Sequence, residues 1–185
     1  PGMGGDVLAK MGASPVSLPG SQIYENLVSG AIDATEWVGP WNDSFMKFYE
    51  AAKYYYWPGF HEPGTMESFG LNKAWWDKLS KSDQKMIEAA AALENQLLYS
   101  EYCWNNGSSM KKLLDEHGVQ LREFSDDIFD AAGEATAEVF EEYRADGGLT
   151  ARVLDSMLAS RKSVGSWMNT SEVPFIAQRN RVLGL

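Results

Sequence analysis

The hydrophobic period of this chain changes several times in its first third and then stops changing. Apolar residues recur at strand spacing in some short stretches and at helical spacing in others, and beyond Ser82 the helical period dominates. A segment can bury one apolar face only in the conformation whose period it matches. Alternating periods therefore predict an α/β portion, and a sustained helical period predicts long helices. The expectation is an α/β class, with residues 1–81 forming the α/β part and residues 82–185 a helical C-terminal part.

Local signals place the elements. Gly4 to Met11 reads as a short helix ended by Gly12, followed by a strand over Pro15-Val16-Ser17-Leu18. Ser21 is placed to cap a helix that Gly30 closes, and Ala31 to Glu36 reads as a second short strand. Pro40 starts a helix that puts Phe45, Phe48, Tyr49 and Ala52 on one face. Tyr54-Tyr55-Tyr56-Trp57 reads as a strand, Thr65 to Leu71 as another, and Asn72 as the cap of a short helix. Ser82 opens a long run in which Met86, Ala90, Leu93 and Leu97 have the spacing of a buried stripe, with Gly107 as a break point and Gly118 as a stop. Val119 to Leu121 forms a strand, Ser125 caps a helix with Ile128, Ala132, Ala135 and Val139 on one face, and a further helix covers Leu149 to Trp167. A last helix starts near Pro174.

Composition narrows the function classes. With 26 acidic and 16 basic side chains the formal net charge is −10, a field that repels phosphate backbones, so nucleic acid is a poor partner. Cys103 is the single cysteine, and His61 and His117 are the two histidines, so neither an intramolecular disulfide nor a CxxC or HExxH zinc site can be built. No local Cys–His signature accompanies Cys103, which reads as a buried, inert thiol. No apolar run approaches the roughly 20 residues that cross a bilayer. Pro1 is not an initiator residue, and a processed or cut chain is the expectation.

The stretch Asp33-Ala34-Thr35-Glu36-Trp37-Val38-Gly39-Pro40-Trp41-Asn42-Asp43 is the most informative. It sets a carboxylate and two tryptophans where a strand ends and a helix begins, which is where open α/β sheets bind ligands. Glu36 there is able to ligate a hard cation, to neutralise an amine, to act as a base, or only to face the following helix N-terminus. Trp37 and Trp41 suit either a stacking platform or core packing. His61 reads as a hydrogen-bonded loop residue rather than a base. Glu138, Glu141, Glu142 and Asp146 read as a solvated helix face. No nucleophile–base pair points to an enzyme. A carbohydrate-binding or glycoside-hydrolysing domain would need a second carboxylate opposite Asp33 or Glu36. A helical interaction module would need an exposed apolar stripe on residues 82–185.

Pro1-Gly2-Met3-Gly4-Gly5-Asp6-Val7-Leu8-Ala9-Lys10-Met11-Gly12-Ala13-Ser14-Pro15, then Ile23-Tyr24-Glu25-Asn26-Leu27, Gly30-Ala31-Ile32-Asp33-Ala34, Glu36-Trp37 and Tyr54-Tyr55-Tyr56, resemble one family along its second lobe. That family is the periplasmic solute-binding proteins of tripartite ATP-independent periplasmic (TRAP) transporters, in the subgroup that binds 2-oxo acids or lactate. The resemblance implies the second lobe of a two-lobe periplasmic-binding-protein fold plus long C-terminal helices, with strands required around Val16 and Ile32. It implies a non-enzymatic periplasmic protein that captures a small organic acid for TRAP membrane subunits. It also implies that the Glu36 carboxylate and Trp37 carbonyl hold a sodium or calcium ion bridging to the acid, with Phe60 and His61 near the cleft. The terminal segment 171–185 resembles one that docks on a partner subunit, making a homodimer. By the same resemblance the first lobe, and an arginine that pairs with the acid, lie before position 1 and outside this sequence.

Overall fold

A computed structural model of the protein describes residues 2–60, 64 and 68–185. In chain order its elements are α1 (Met3–Lys10), α2 (Gly20–Ser29), α3 (Pro40–Phe45), α4 (Phe48–Ala51), β1 (Tyr54–Trp57), α5 (Lys73–Trp76), α6 (Lys81–Asp115), β2 (Gln120–Glu123), α7 (Asp126–Ala145), α8 (Gly148–Met168) and α9 (Glu172–Leu183). The chain divides into two compact units, Val16–Phe129 and the pair Pro1–Pro15 with Asp130–Leu185.

In the Val16–Phe129 unit, β1 and β2 pair in parallel, with Tyr54 opposite Gln120 and Trp57 opposite Glu123. Parallel strands need a long crossover, and α5 and α6 supply it. The ladder continues past both ends, where the Gln120 N–H donates to the Lys53 carbonyl and the Phe124 N–H to the Trp57 carbonyl, each at 2.8 Å. Starts of helices follow the expected chemistry. Pro40 occupies the first turn of α3 after Gly39, where its missing N–H costs no hydrogen bond. The Asn72 side chain accepts the Trp75 N–H and the Ser80 hydroxyl accepts the Asp83 N–H, both at 3.1 Å, removing two orphan donors. Phe48, Leu113 and Val119 are buried and, with Tyr49, Ala52 and Tyr55, surround a void of about 30 Å³.

In the other unit, Val7 of α1 packs against Ala135 and Val139 of α7, with Met3, Met11 and Tyr143 around them. Polar contacts close over this seam. Lys10 Nζ reaches Glu138 at 3.2 Å and Glu142 at 2.7 Å, and the Tyr143 hydroxyl donates to Asp6 at 2.7 Å. The acidic face of α7 is thus partly paired rather than only solvated. On α8, Leu154 is buried, while α9 buries no residue.

Several expectations need correction. No strand forms around Val16 or over Ala31–Glu36. A strand exists only where a neighbouring segment completes its ladder, and among the described residues none does so for these two. This is the outcome that was expected to tell against the resemblance. The strand expected over Thr65–Leu71 falls partly outside the described residues, and 68–71 carry no regular structure. Pro19 and Ser80 occupy the cap positions expected of Ser21 and Ser82. Gly107 does not break α6. Lys47 takes the left-handed conformation, with φ 55°, between α3 and α4, and Phe45 departs from the expected face while Phe48, Tyr49 and Ala52 keep to it. Phe48 is 7% exposed and Phe45 is 74% exposed. The α6 stripe of Met86, Leu93 and Leu97 is exposed rather than buried, because no described element covers it.

Two outcomes follow for stability. Leu113→Ala enlarges an existing void and should cost about 2–5 kcal/mol. Leu93→Ala, on the same helix but exposed, should stay within about 0.5 kcal/mol. Urea midpoints of the two variants check the contrast. Asp43 of α3 is also buried, which raises its carboxyl pKa above the ordinary value, against the opposing pull of the Tyr55 hydroxyl and the Val38 and Gly39 amides. The folded state then holds this proton more tightly than the unfolded chain does. Its contribution to stability must fall as pH rises from the unfolded pKa through the raised folded one. Asp43→Asn should remove that slope in urea unfolding followed from about pH 4 to about pH 7.

Candidate functional site

Glu36 and Trp37 lie in the irregular stretch between α2 and α3, and contacts from four elements hold that stretch. The Trp37 ring lies across the first residue of α2, so close that a Cβ on Gly20 would stand 2.6 Å from it. From α6, the Asn106 side-chain oxygen accepts the Trp41 N–H at 3.0 Å. The same oxygen would stand 3.3 Å from a Cβ on Gly39. A glycine here lets the long helix approach the turn. From α3 itself, an Asp43 carboxylate oxygen accepts the Val38 N–H at 3.4 Å. From β1, the Tyr55 hydroxyl donates to the other Asp43 oxygen at 2.6 Å. Trp41 meets Tyr102 of α6 edge-on at 5.3 Å.

This arrangement leaves Glu36 at the surface. Burial, then the Asp43 hydrogen bond and charge, and last the charge of Glu36 all push the Tyr55 hydroxyl well above its ordinary pKa. Tyr55 therefore stays neutral and remains a donor to Asp43. The Thr35 hydroxyl donates to the Glu36 carbonyl at 3.1 Å. No hydrogen bond between described residues ends on the next carbonyl, that of Trp37. Trp37 and Trp41 both pack, Trp37 on Gly20 and Trp41 on Tyr102 and Phe45.

Phe60 belongs to an aromatic group with Phe124 and Phe129. It meets Phe124 edge-on at 5.3 Å and Phe129 at 6.1 Å, and Tyr56 stacks on Phe124 at 4.9 Å. His61 lies outside the described residues. Cys103 is exposed on α6, not buried as expected. Sequence reasoning gave no role to Asp43, Tyr55, Gly20 or Asn106. Asp43 stood inside the quoted stretch, but nothing local tied it to Tyr55, and Asn106 is brought in from far along the chain.

The donor chemistry can be tested against a cation. Among the described residues, no group of three or more His, Cys, Asp or Glu could hold a metal ion. The Glu36 carboxylate and Trp37 carbonyl are hard oxygen donors, which suit sodium or calcium and not zinc. Calcium takes roughly six to eight oxygens, so this pair fits a cation that other donors share.

Known proteins give the context. Residues 1–146 match the family model for bacterial extracellular solute-binding protein, family 7 (DctP). The monocarboxylate 2-oxoacid-binding periplasmic protein of Nostoc sp. is 34% identical over 95% of this chain. A TRAP periplasmic solute-binding protein from Colwellia psychrerythraea, solved with calcium and pyruvate, is 35% identical over 96% of the chain, with a TM-score of 0.90. Another from Pseudoalteromonas atlantica, solved with sodium and pyruvate, is 34% identical over 96% with the same TM-score. This chain spans about half of each relative, 48% of the first and 54% of the other two. Together the family match and these identities, carried over nearly the whole chain in the same fold, make it a member of the family 7 extracellular solute-binding proteins, the TRAP solute-binding proteins.

Proposed function

We propose that this chain is the second-lobe part of a periplasmic TRAP solute-binding protein that captures a small 2-oxo acid through a calcium or sodium ion. The carrying observation is the Glu36–Trp37 turn. It offers an exposed carboxylate beside a carbonyl without a hydrogen bond among the described residues, on a support braced by α2, α3, α6 and β1. The cation bridges these two oxygens to the carboxylate and adjacent oxygen of the acid. Relatives bound to pyruvate with calcium or sodium support the ligand class. Phe60 supplies an apolar wall, and His61 a polar group near the cleft. These two roles rest on the resemblance.

In this reading residues 1–81 form the α/β part of the lobe, joined from beyond that boundary by β2, and the helices of residues 82–185 brace two lobes that close over the acid before delivery to TRAP membrane subunits. The segment 171–185 docks on a second copy. The exposed Phe175, Ile176, Val182 and Leu183 of α9 suit such a contact. No described observation favours the glycoside-hydrolysing alternative, and the relatives are transport proteins rather than enzymes.

Glu36→Gln keeps shape and an oxygen but removes the charge that holds the cation. In a full-length two-lobe protein carrying this sequence, calcium and pyruvate affinities should fall together, because coupling between the two ligands is reciprocal. Trp37→Phe should spare calcium, since any residue provides the backbone carbonyl. Calorimetric titration with and without calcium checks both, and unchanged pyruvate binding in Glu36→Gln removes the bridge. The isolated 185 residues, by the same reading, lack a paired arginine and one cleft wall. Their pyruvate affinity should be on the order of a thousandfold weaker than the two-lobe protein's. Equal affinities would show that the site is not shared between lobes.

A further inference from the structure

We infer that Asp43 is a positioning residue for the cation site, setting the direction of the Trp37 carbonyl without touching the ion. This rests on the reading that Glu36 and Trp37 supply the ligands. The Trp37 carbonyl and the Val38 N–H belong to one peptide unit. That unit is trans, and a planar trans unit points its C=O and N–H in opposite directions. Directing the Val38 N–H at the Asp43 carboxylate, at 3.4 Å, therefore turns the Trp37 carbonyl away from α3.

Asp43 is itself held for this task. It is 9% exposed. One carboxylate oxygen takes the Tyr55 hydroxyl at 2.6 Å, and its backbone N–H donates to the Gly39 carbonyl at 2.9 Å. The Val38 bond is long for an N–H···O contact, but its acceptor is a charged group in a buried setting, which strengthens it. The other anchors act elsewhere on the turn. Gly20 meets the Trp37 ring, and Asn106 meets the Trp41 N–H. Neither opposes rotation of the 37–38 peptide plane. Among the described residues, the hydrogen bond that does so is the one to Asp43.

The test uses a full-length two-lobe protein carrying this sequence, titrated with calcium alone by calorimetry. Asp43→Ala removes the acceptor, and calcium binding should weaken about 10–100-fold, as for other supporting partners of metal ligands. Asp43→Asn retains an oxygen that can accept the Val38 N–H and should recover most of that loss. Tyr55→Phe frees the carboxylate and should give an intermediate loss. Val38 amide chemical shifts report the bond directly. They should move in Asp43→Ala and stay near wild type in Asp43→Asn. A role in stability alone would instead make calcium affinity follow melting temperature across all three variants, and that result overturns the inference. Should Asp43→Ala not fold, Asp43→Asn losing calcium as fully as Glu36→Gln overturns it equally. If Glu36→Gln loses calcium while Asp43→Ala binds as wild type does, the positioning role fails and the metal reading stands. If wild type binds neither calcium nor, in a parallel titration, sodium, both fall.

Discussion

A carboxylate taken out of water needs donors around it, and the donors that Asp43 finds are what order the turn. Leaving such a group unpaired would cost more than a neutral hydrogen bond returns. Here a hydroxyl from β1 and amides from the 38–39 backbone converge on one side chain of α3. A strand, a short helix and an irregular loop are thereby tied at one point. The six residues of α3 are too few to persist alone. They persist because Trp41 packs on Tyr102, Asn106 holds the Trp41 amide, and Asp43 locks the other flank. The exposed carboxylate of Glu36 thus sits on a rigid base, although its own segment has no regular structure.

What the sequence made legible was local chemistry. Gly12, Gly30 and Gly118 as stops, Asn72 as a cap, Pro40 at a helix start and the Ile128, Ala132, Ala135, Val139 stripe all depend on neighbours within a few residues, and all are as expected save that Ile128 is only half-buried. Tyr54–Trp57 was legible as a strand because β-branched or aromatic runs suit a pleated surface and β2 lies beside it. The runs at Val16 and Ile32 have the same local look but no partner among the described residues, and a periodic pattern cannot report whether a partner exists. The same limit explains α6, whose stripe predicts a covering surface without supplying one. At the candidate site, Glu36 and Trp37 stood out by position and resemblance. The long-range contacts that brace them, Tyr55 on Asp43 and Asn106 on Trp41, left no mark in the order of residues.

The exposed side chains of α6 bear on the choice among functions. Met86, Leu93, Leu97, Tyr99 and Trp104 are each about half exposed or more, and an apolar surface of this kind suits a protein contact. Taken alone that would favour a helical interaction module. The relatives change the weighing, because this chain spans about half their length. In the proposed two-lobe protein the same helix faces additional chain, so the exposed stripe and the Glu36 turn become two parts of one requirement. In that proposal both are surfaces that acquire their full set of partners only with a second lobe.

Electrostatics then constrains how such a protein holds an acid. With a formal net charge of −10, and with Glu36 at the turn, a free carboxylate ligand meets repulsion. At about 4 Å and an effective dielectric near 20, one unit pair is worth about 4 kcal/mol. A bound cation reverses the local sign, and the two candidate ions do so unequally. Calcium, at +2, balances Glu36 and a monocarboxylate together. Sodium, at +1, leaves one negative charge, which a further cationic group must meet. The arginine implied by the resemblance would do so in a sodium site, and in a calcium site it would add binding strength beyond neutrality. The identity of the ion and the need for that arginine are therefore one question, since the charge the ion leaves uncompensated is what the opposite wall of the cleft has to supply.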